Sequence, residues 1–217
     1  MIERFIQSVQ IEDPGAEAPA ATRERLRAVF PPGATRRMTQ LGLLVGRVLD
    51  PLRPAEADAL IYASSYGESL ALEEYLTSFP TPSPTLFQTS IHPAAVQQYL
   101  VAKQQPIGEF LPFAGGAQIV GHAVLAALQS PAPRVLLCGG EECGTWLTER
   151  RAASPVTFAF ALALTAGGEP GAGTLRLTES AAADGALALP EFFAALRDRR
   201  PLDQTAAPGL QLTLAWN

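Results

Sequence analysis

At 217 residues the chain is long enough to bury one substantial core, and with 47% hydrophobic and 17% charged residues it reads as globular. A net charge of -5 repels phosphate backbones, and the densest basic group, RDRR at 197–200, is too small to override it, which excludes nucleic acid as a partner. No window approaches the roughly eighteen uninterrupted apolar residues of a membrane span, and MIERFIQSVQ carries charges inside its short apolar stretch, so neither span, signal peptide nor anchor is expected.

Residues 2–12 alternate as a first strand, which the Pro/Ala/Gly-rich stretch from Pro14 to Ala21 breaks. A short helix is predicted over 22–29, before Pro31-Pro32-Gly33. From Thr35, a cap candidate, a helix over 36–50 places Met38, Leu41, Val45 and Val48 on one face, as expected of an amphipathic helix laid on a sheet. ALIYASS at 59–65 suits a buried parallel strand, and SLALEEYLTSF at 69–79 a helix. FPTPSPTLF at 79–87 is predicted as a surface loop, because its prolines remove donors and restrict their neighbours. The spacing then predicts a helix over 90–105 with Pro93 in its first turn, a strand over 108–113, a small-residue helix over 114–129, and strands over 134–140 and 158–166. After the GGEPGAG turn at 167–173, strands over 174–180 and 210–216 flank a short helix at 190–198. Strands alternating with helices imply an α/β fold with a mixed, mostly parallel sheet and helices on its faces. One domain over 1–217 is the economical reading, with 174–217 as a strand and helix extension.

Several chemistries are weighed and set aside. Cys138 and Cys143 have four residues between them, yet a closed zinc site needs four ligands and His92 and His122 are the other candidates; no metal is expected, and two buried thiols in a reducing cytoplasm are the simpler reading. Ser65 in ASSYGES lacks the Gly-x-Ser-x-Gly of a hydrolase and no histidine follows His122. Gly115-Gly116 to Gly121 lacks dinucleotide-loop spacing. Glu141 and Glu142 could do acid–base work, but adjacent carboxylates diverge in direction and are usually solvated. Each histidine is expected on the surface or capped in the core.

Three segments carry a family resemblance: SIHPAAVQQYL (90–100), FAGGAQIVGHAVLAAL (113–128) and VLLCGGEE (135–142). In order and spacing, residues from about Leu60 to Thr165 resemble the N-terminal half of a β-ketoacyl synthase, of thiolase fold, and in particular the short chain length factors of aryl-polyene and type II polyketide clusters. The resemblance implies a half-thiolase-like layer with no cofactor. Gly116-Ala117-Gln118 matches the Gly-Ala-x after the family's catalytic turn, and counting three back from Gly116 puts Phe113 where the family has its nucleophilic cysteine. A register one residue away gives Pro112 or Ala114, and none of the three is a nucleophile. The family's two catalytic histidines belong to a C-terminal half for which the residues after Thr165 leave no room. Phe113, with Ala114, Gly115 and Gly116, thus marks a vacated site, in which the ring either closes an acyl tunnel or is simply core.

The resemblance also implies that strand 108–113 pairs across a two-fold, since an unpaired apolar edge invites aggregation. Gly108, Glu109, Phe110, Leu111 and Pro112, with His92, Pro93 and Val96, are the expected partner interface. The expected protein is a cytoplasmic, non-catalytic subunit that pairs with a competent β-ketoacyl synthase and shapes its acyl pocket, meeting acyl carrier protein only indirectly. The alternative is a stand-alone homodimer that binds acyl groups or carrier protein.

Overall fold

The computed structural model describes residues 1–167, 171–182 and 184–217; part of the predicted 167–173 turn lies outside the described residues. Strands β1 (Ile2–Glu12), β2 (Ala59–Ser64), β3 (Glu109–Ala114), β4 (Arg134–Glu141), β5 (Phe158–Thr165), β6 (Gly173–Glu179), β7 (Leu202–Ala207) and β8 (Leu210–Trp216) form one sheet, in the order β3-β2-β4-β5-β1-β6-β8-β7. Helices α1 (Pro19–Leu26), α2 (Gln40–Leu49), α3 (Ser69–Thr77), α4 (Pro84–Thr89), α5 (Ala94–Lys103), α6 (Ile119–Gln129), α7 (Trp146–Glu149) and α8 (Leu189–Arg197) complete the layers.

The mixed α/β class is as the sequence implies, but the balance within the sheet is not. Only β3-β2 and β2-β4 pair in parallel; every other neighbouring pair is antiparallel. The reason lies in the connections. Parallel neighbours need a long crossover, which the α3–α5 segment supplies between β2 and β3, and α6 between β3 and β4. From β4 to β5 the chain has only the single turn of α7, and β7 meets β8 across Pro208-Gly209, a link that only antiparallel strands can use. The strands after residue 173 extend the same sheet.

Period-2 alternation sorts β2 and β4 between two cores. Ile61 and Leu137 face α6 and α8, together with Phe160 and Phe192. Leu60, Tyr62, Leu136 and Cys138 face α2 and α5, with Leu44, Val48 and Tyr99. Covered on both faces, these strands are apolar between their ends, whereas β6 buries Leu175 and Leu177 and turns Thr174 and Arg176 outward.

Several boundaries move for identifiable reasons. Helix α1 starts at Pro19, inside the predicted breaker, because a proline in the first turn forfeits no hydrogen bond. Residues 34–37 form a 3-10 turn, so the cap of α2 is Thr39, whose hydroxyl accepts from Gly42 N–H at 2.9 Å, and not Thr35. The predicted loop at 79–87 contains the start of α4, capped by Ser83 with Pro84 following it. Pro93 is the N-cap of α5, one residue outside its first turn. β3 runs on to Ala114, and α6 waits until Ile119 because Gly115 (φ 79°) and Gly116 (φ 82°) turn the chain through left-handed backbone between them. β7 and α7 lie in segments for which the sequence reading proposed no element.

Candidate functional site

The edge strand and the helix it feeds form the centre of the site. β3 is the terminal strand of the sheet, hydrogen-bonded on one side to β2 in a register that sets Ala59 beside Glu109 and Ser64 beside Ala114. Phe110 leans on the α2–α5 core, Leu111 and Phe113 on the α6–α8 core, all three half-buried, while Pro112 and Ala114 are exposed. At Gly108 a side chain could not fit, since a Cβ would lie 2.3 Å from the Glu56 carbonyl oxygen. Past the strand, Gly115 N–H donates to the Ser64 carbonyl at 3.1 Å, tying the turn to the end of β2.

Helix α6 starts without a side-chain cap. Gly116, Ala117 and Ile119 line a pocket of about 600 Å³ whose far wall is Leu189-Pro190, with Tyr66 and Ser65 at its side. Phe113, Ala114 and Gly115 are not among its lining residues; of the expected vacated-site group only Gly116 reaches this space. Of the hydroxyls that line it, Ser154 Oγ donates to the Val156 carbonyl at 2.9 Å, and neighbouring Ser64 Oγ accepts from Gly67 N–H at 2.9 Å. His122, although in this apolar helix, is exposed.

The expected interface residues on the other segment separate. His92 stacks on Tyr62 with ring centroids 5.1 Å apart, and its Nδ1 lies 3.2 Å from a carboxylate oxygen of buried Glu68. Pro93 is half-buried beside it. Val96 is fully buried in the chain's own α2–α5 core and cannot belong to an outward-facing interface.

Sequence reasoning missed a set of buried carboxylates. Glu141 and Glu142, expected in solvent, are buried, because Glu141 closes β4 and Glu142 follows it under α2 and α3. They do diverge in direction. Glu141 accepts from Ser65 N–H and from Ser64 Oγ at 3.2 Å, whereas Glu142 accepts from Leu41 and Ala71 N–H, both at 3.3 Å. Glu68 accepts from Ala95 N–H at 2.9 Å, and Glu73 from Thr145 and Leu147 N–H, both at 2.9 Å. Glu68, Glu73 and Glu142 therefore cap amides at the starts of α5, α7, α2 and α3, and Glu141 accepts from the amide just past the end of β2, the arrangement that makes a buried carboxylate tolerable. Burial still pushes the carboxyls of Glu141 and Glu142 up to about 7, against the lowering effect of those hydrogen bonds. The only sequence signal was negative: glutamates set among apolar residues with no basic residue nearby.

Cys138 is buried, and burial pushes its thiol well above the ordinary range; Cys143, expected to be buried too, is exposed because it lies past the end of β4. Among the described residues no group of three His, Cys, Asp or Glu side chains stands where it could hold a metal ion, and no helix is long and apolar enough to cross a membrane.

The edge strand β3, paired in parallel with β2 and running through a glycine turn into helix α6, gives a layered α/β arrangement of the kind that the resemblance to β-ketoacyl synthases implies. A family model for the β-ketoacyl synthase N-terminal domain matches residues 10–213, and the chain belongs to that family. It is similar to a chain of the ketosynthase ApeO in complex with its chain length factor ApeC from Xenorhabdus doucetiae, at 18% identity and TM-score 0.73, covering 99% of this chain and 100% of that one. The ishigamide ketosynthase/chain length factor aligns at 12% identity and TM-score 0.55, covering 82% of this chain and 68% of that one. A β-ketoacyl synthase from Burkholderia phymatum STM815 aligns at 13% identity and TM-score 0.54, covering 84% and 65%. At these identities the likeness is one of fold. No curated protein matches the chain.

Proposed function

We propose that this chain is the non-catalytic partner of a β-ketoacyl synthase, a chain length factor that completes the synthase's acyl pocket in the assembly of a fatty-acid-like or polyene chain. What carries this reading is Phe113 near the end of edge strand β3, the position to which the resemblance assigns the family's cysteine. Claisen condensation needs a thiolate to hold the acyl chain and imidazoles to stabilise the enolate. Here the strand ends in Pro112, Phe113 and Ala114, one histidine is held by Glu68 beneath Tyr62, and the other faces solvent. Membership in the family and the likeness to a chain of a ketosynthase–chain length factor complex support the pairing. The partner supplies the cysteine, the histidines and the surface on which an acyl carrier protein docks.

Under this reading Gly108 to Pro112 pair with the equivalent strand of the synthase, and Phe113 with the turn at Ala114, Gly115 and Gly116 faces the shared cavity. The test is co-expression with each cysteine-bearing β-ketoacyl synthase of the source genome, followed by native mass measurement. A one-to-one complex that condenses acyl units, against inactivity of the chain alone, is the expected result. A homodimer indifferent to every synthase would overturn the reading.

A further inference from the structure

Two glycines bring the end of β4 hard against its neighbours. A Cβ on Gly139 would lie 2.7 Å from the Ala63 carbonyl oxygen, and one on Gly140 2.7 Å from that of Phe158, so glycine is what lets β2 and β5 approach β4 this closely. Glu141 is the first side chain past them and is fully buried. Its two oxygens take different donors: Oε1 accepts from Ser65 N–H, and Oε2 from Ser64 Oγ at 3.2 Å. Ser64 in turn accepts at Oγ from Gly67 N–H at 2.9 Å and at its carbonyl from Gly115 N–H at 3.1 Å. One carboxylate thus fixes the end of β2 and, through Ser64, the glycine turn that follows β3. Ser65 and Tyr66 from the first segment, with Gly116 and Ala117 from the second, wall the same pocket of about 600 Å³.

This clamp depends on charge. An ionised carboxylate only accepts, which suits the donors that converge on it. A proton on Oε2 reverses the bond to Ser64, whose Oγ must then accept from both Glu141 and Gly67, while its own O–H, fully buried, loses its acceptor. A proton on Oε1 faces Ser65 N–H instead. Burial pushes the Glu141 carboxyl up to about 7, against the pull of the Ser65, Ser64 and Tyr66 donors, so both forms occur around neutral pH. The other titratable groups nearby do not compete for this role. Burial holds Tyr62 of β2 and Cys138 of β4 well above their ordinary ranges, so both stay protonated. Glu68 is spent on Ala95 N–H and His92, and Glu142 on amides of α2 and α3. β5 opposes Glu141 with Phe158, and among the described residues no Lys, Arg or His forms an ion pair with it.

We infer that Glu141 is a positioning residue: its charge holds the end of β2 and the Gly115–Gly116 turn in one geometry, and so sets the shape of the cavity that limits how long a chain the assembled pair builds. This rests on the function proposed above and names a residue that tunes it from outside the cavity.

The purified pair is assayed at pH 6 and pH 8 with wild-type chain, Glu141→Gln and Glu142→Gln, and product lengths are read by mass spectrometry. Length is the readout because the synthase's own titrating groups act on the rate in all three pairs alike. Wild type should change its mean product length by at least one two-carbon unit between the two pH values. Glu141→Gln, permanently uncharged, should give the pH 6 pattern of wild type at both, and Glu142→Gln should respond as wild type does. A Glu141→Gln pair that follows wild type across pH, or a wild-type distribution that does not change, overturns the inference and leaves the proposed function standing. Hydrogen exchange on the wild-type chain alone needs neither variant nor synthase. Corrected for the intrinsic rate, protection of the Gly115 amide should fall about 5-fold from pH 8 to pH 6, the order of difference between a charged and a neutral hydrogen-bond acceptor. Constant protection refutes the clamp, whereas a chain that shows the fall but pairs with no synthase retains the clamp and overturns the function together with its link to product length.

Discussion

Replacing Glu142 with glutamine removes one titrating group from beneath α2 and α3, and the consequence for stability can be worked through. Its carboxyl sits at about 7 in the fold against 4.5 for the free side chain, with burial as the largest cause. A folded-state value raised above the unfolded one means that the fold holds the proton more tightly. The associated stability is fully present below about pH 4.5 and is lost as pH rises through about 7. The gap is 7 − 4.5 = 2.5 pH units, which at 1.36 kcal/mol per unit amounts to about 3 kcal/mol in full, of which about 2.5 kcal/mol falls between pH 5 and pH 8. For a chain of this length that corresponds to roughly 5–10 °C in Tm. Thermal unfolding at constant ionic strength from pH 5 to pH 8 should therefore show a fall in Tm for the wild-type chain that is smaller by about this amount in Glu142→Gln. The glutamine keeps one acceptor oxygen where the carboxylate used two, for Leu41 and Ala71, so the variant also carries a pH-independent loss. The difference in slope is the readout, not the offset. Parallel profiles would show that Glu142 titrates in the fold as it does in the open chain and would refute the account of its burial.

Leu111→Asp places a charge on the half-buried edge of β3. The free chain should still fold, because the carboxylate can reach water, but pairing with the synthase should be lost, since the complex would bury it; retention of the complex by size-exclusion chromatography would remove β3 from the seam. Phe113→Ala in the assembled pair should lengthen the products seen by mass spectrometry, and unchanged lengths with intact pairing would take the ring out of the cavity wall. Gly121→Ala should destabilise the chain by about 1–3 kcal/mol in urea denaturation, because the new Cβ would lie 2.7 Å from that of Ala207 and 3.0 Å from the Ala206 carbonyl, where α6 crosses β7. A neutral effect would mean that the helix can lift from the sheet freely.

The sequence by itself determined the strands from β2 to β5 with helices α3, α5 and α6 among them, and the likeness to a condensing enzyme, because burial on both faces leaves near-continuous apolar runs and a helix packed at its centre needs small residues; α4 and α7 escaped it. It also places Pro112, Phe113 and Ala114 at the end of β3, where the family resemblance implies a cysteine. Only the tertiary structure decided the strand pairing. Local periodicity is the same for parallel and antiparallel strands, and the direction of β5 depends on how little helix connects it to β4. The fate of the glutamates was likewise hidden: Glu68, Glu73, Glu141 and Glu142 look like solvent-facing charges until distant segments, helix starts for three of them and the end of β2 for Glu141, are brought over them to supply amide donors. Val96 shows the same limit from the other side, since nothing in its neighbours tells whether an apolar residue faces the chain's own core or a partner. That distinction arises from which surfaces α2 and α5 cover, and those are chosen by packing across long stretches of chain.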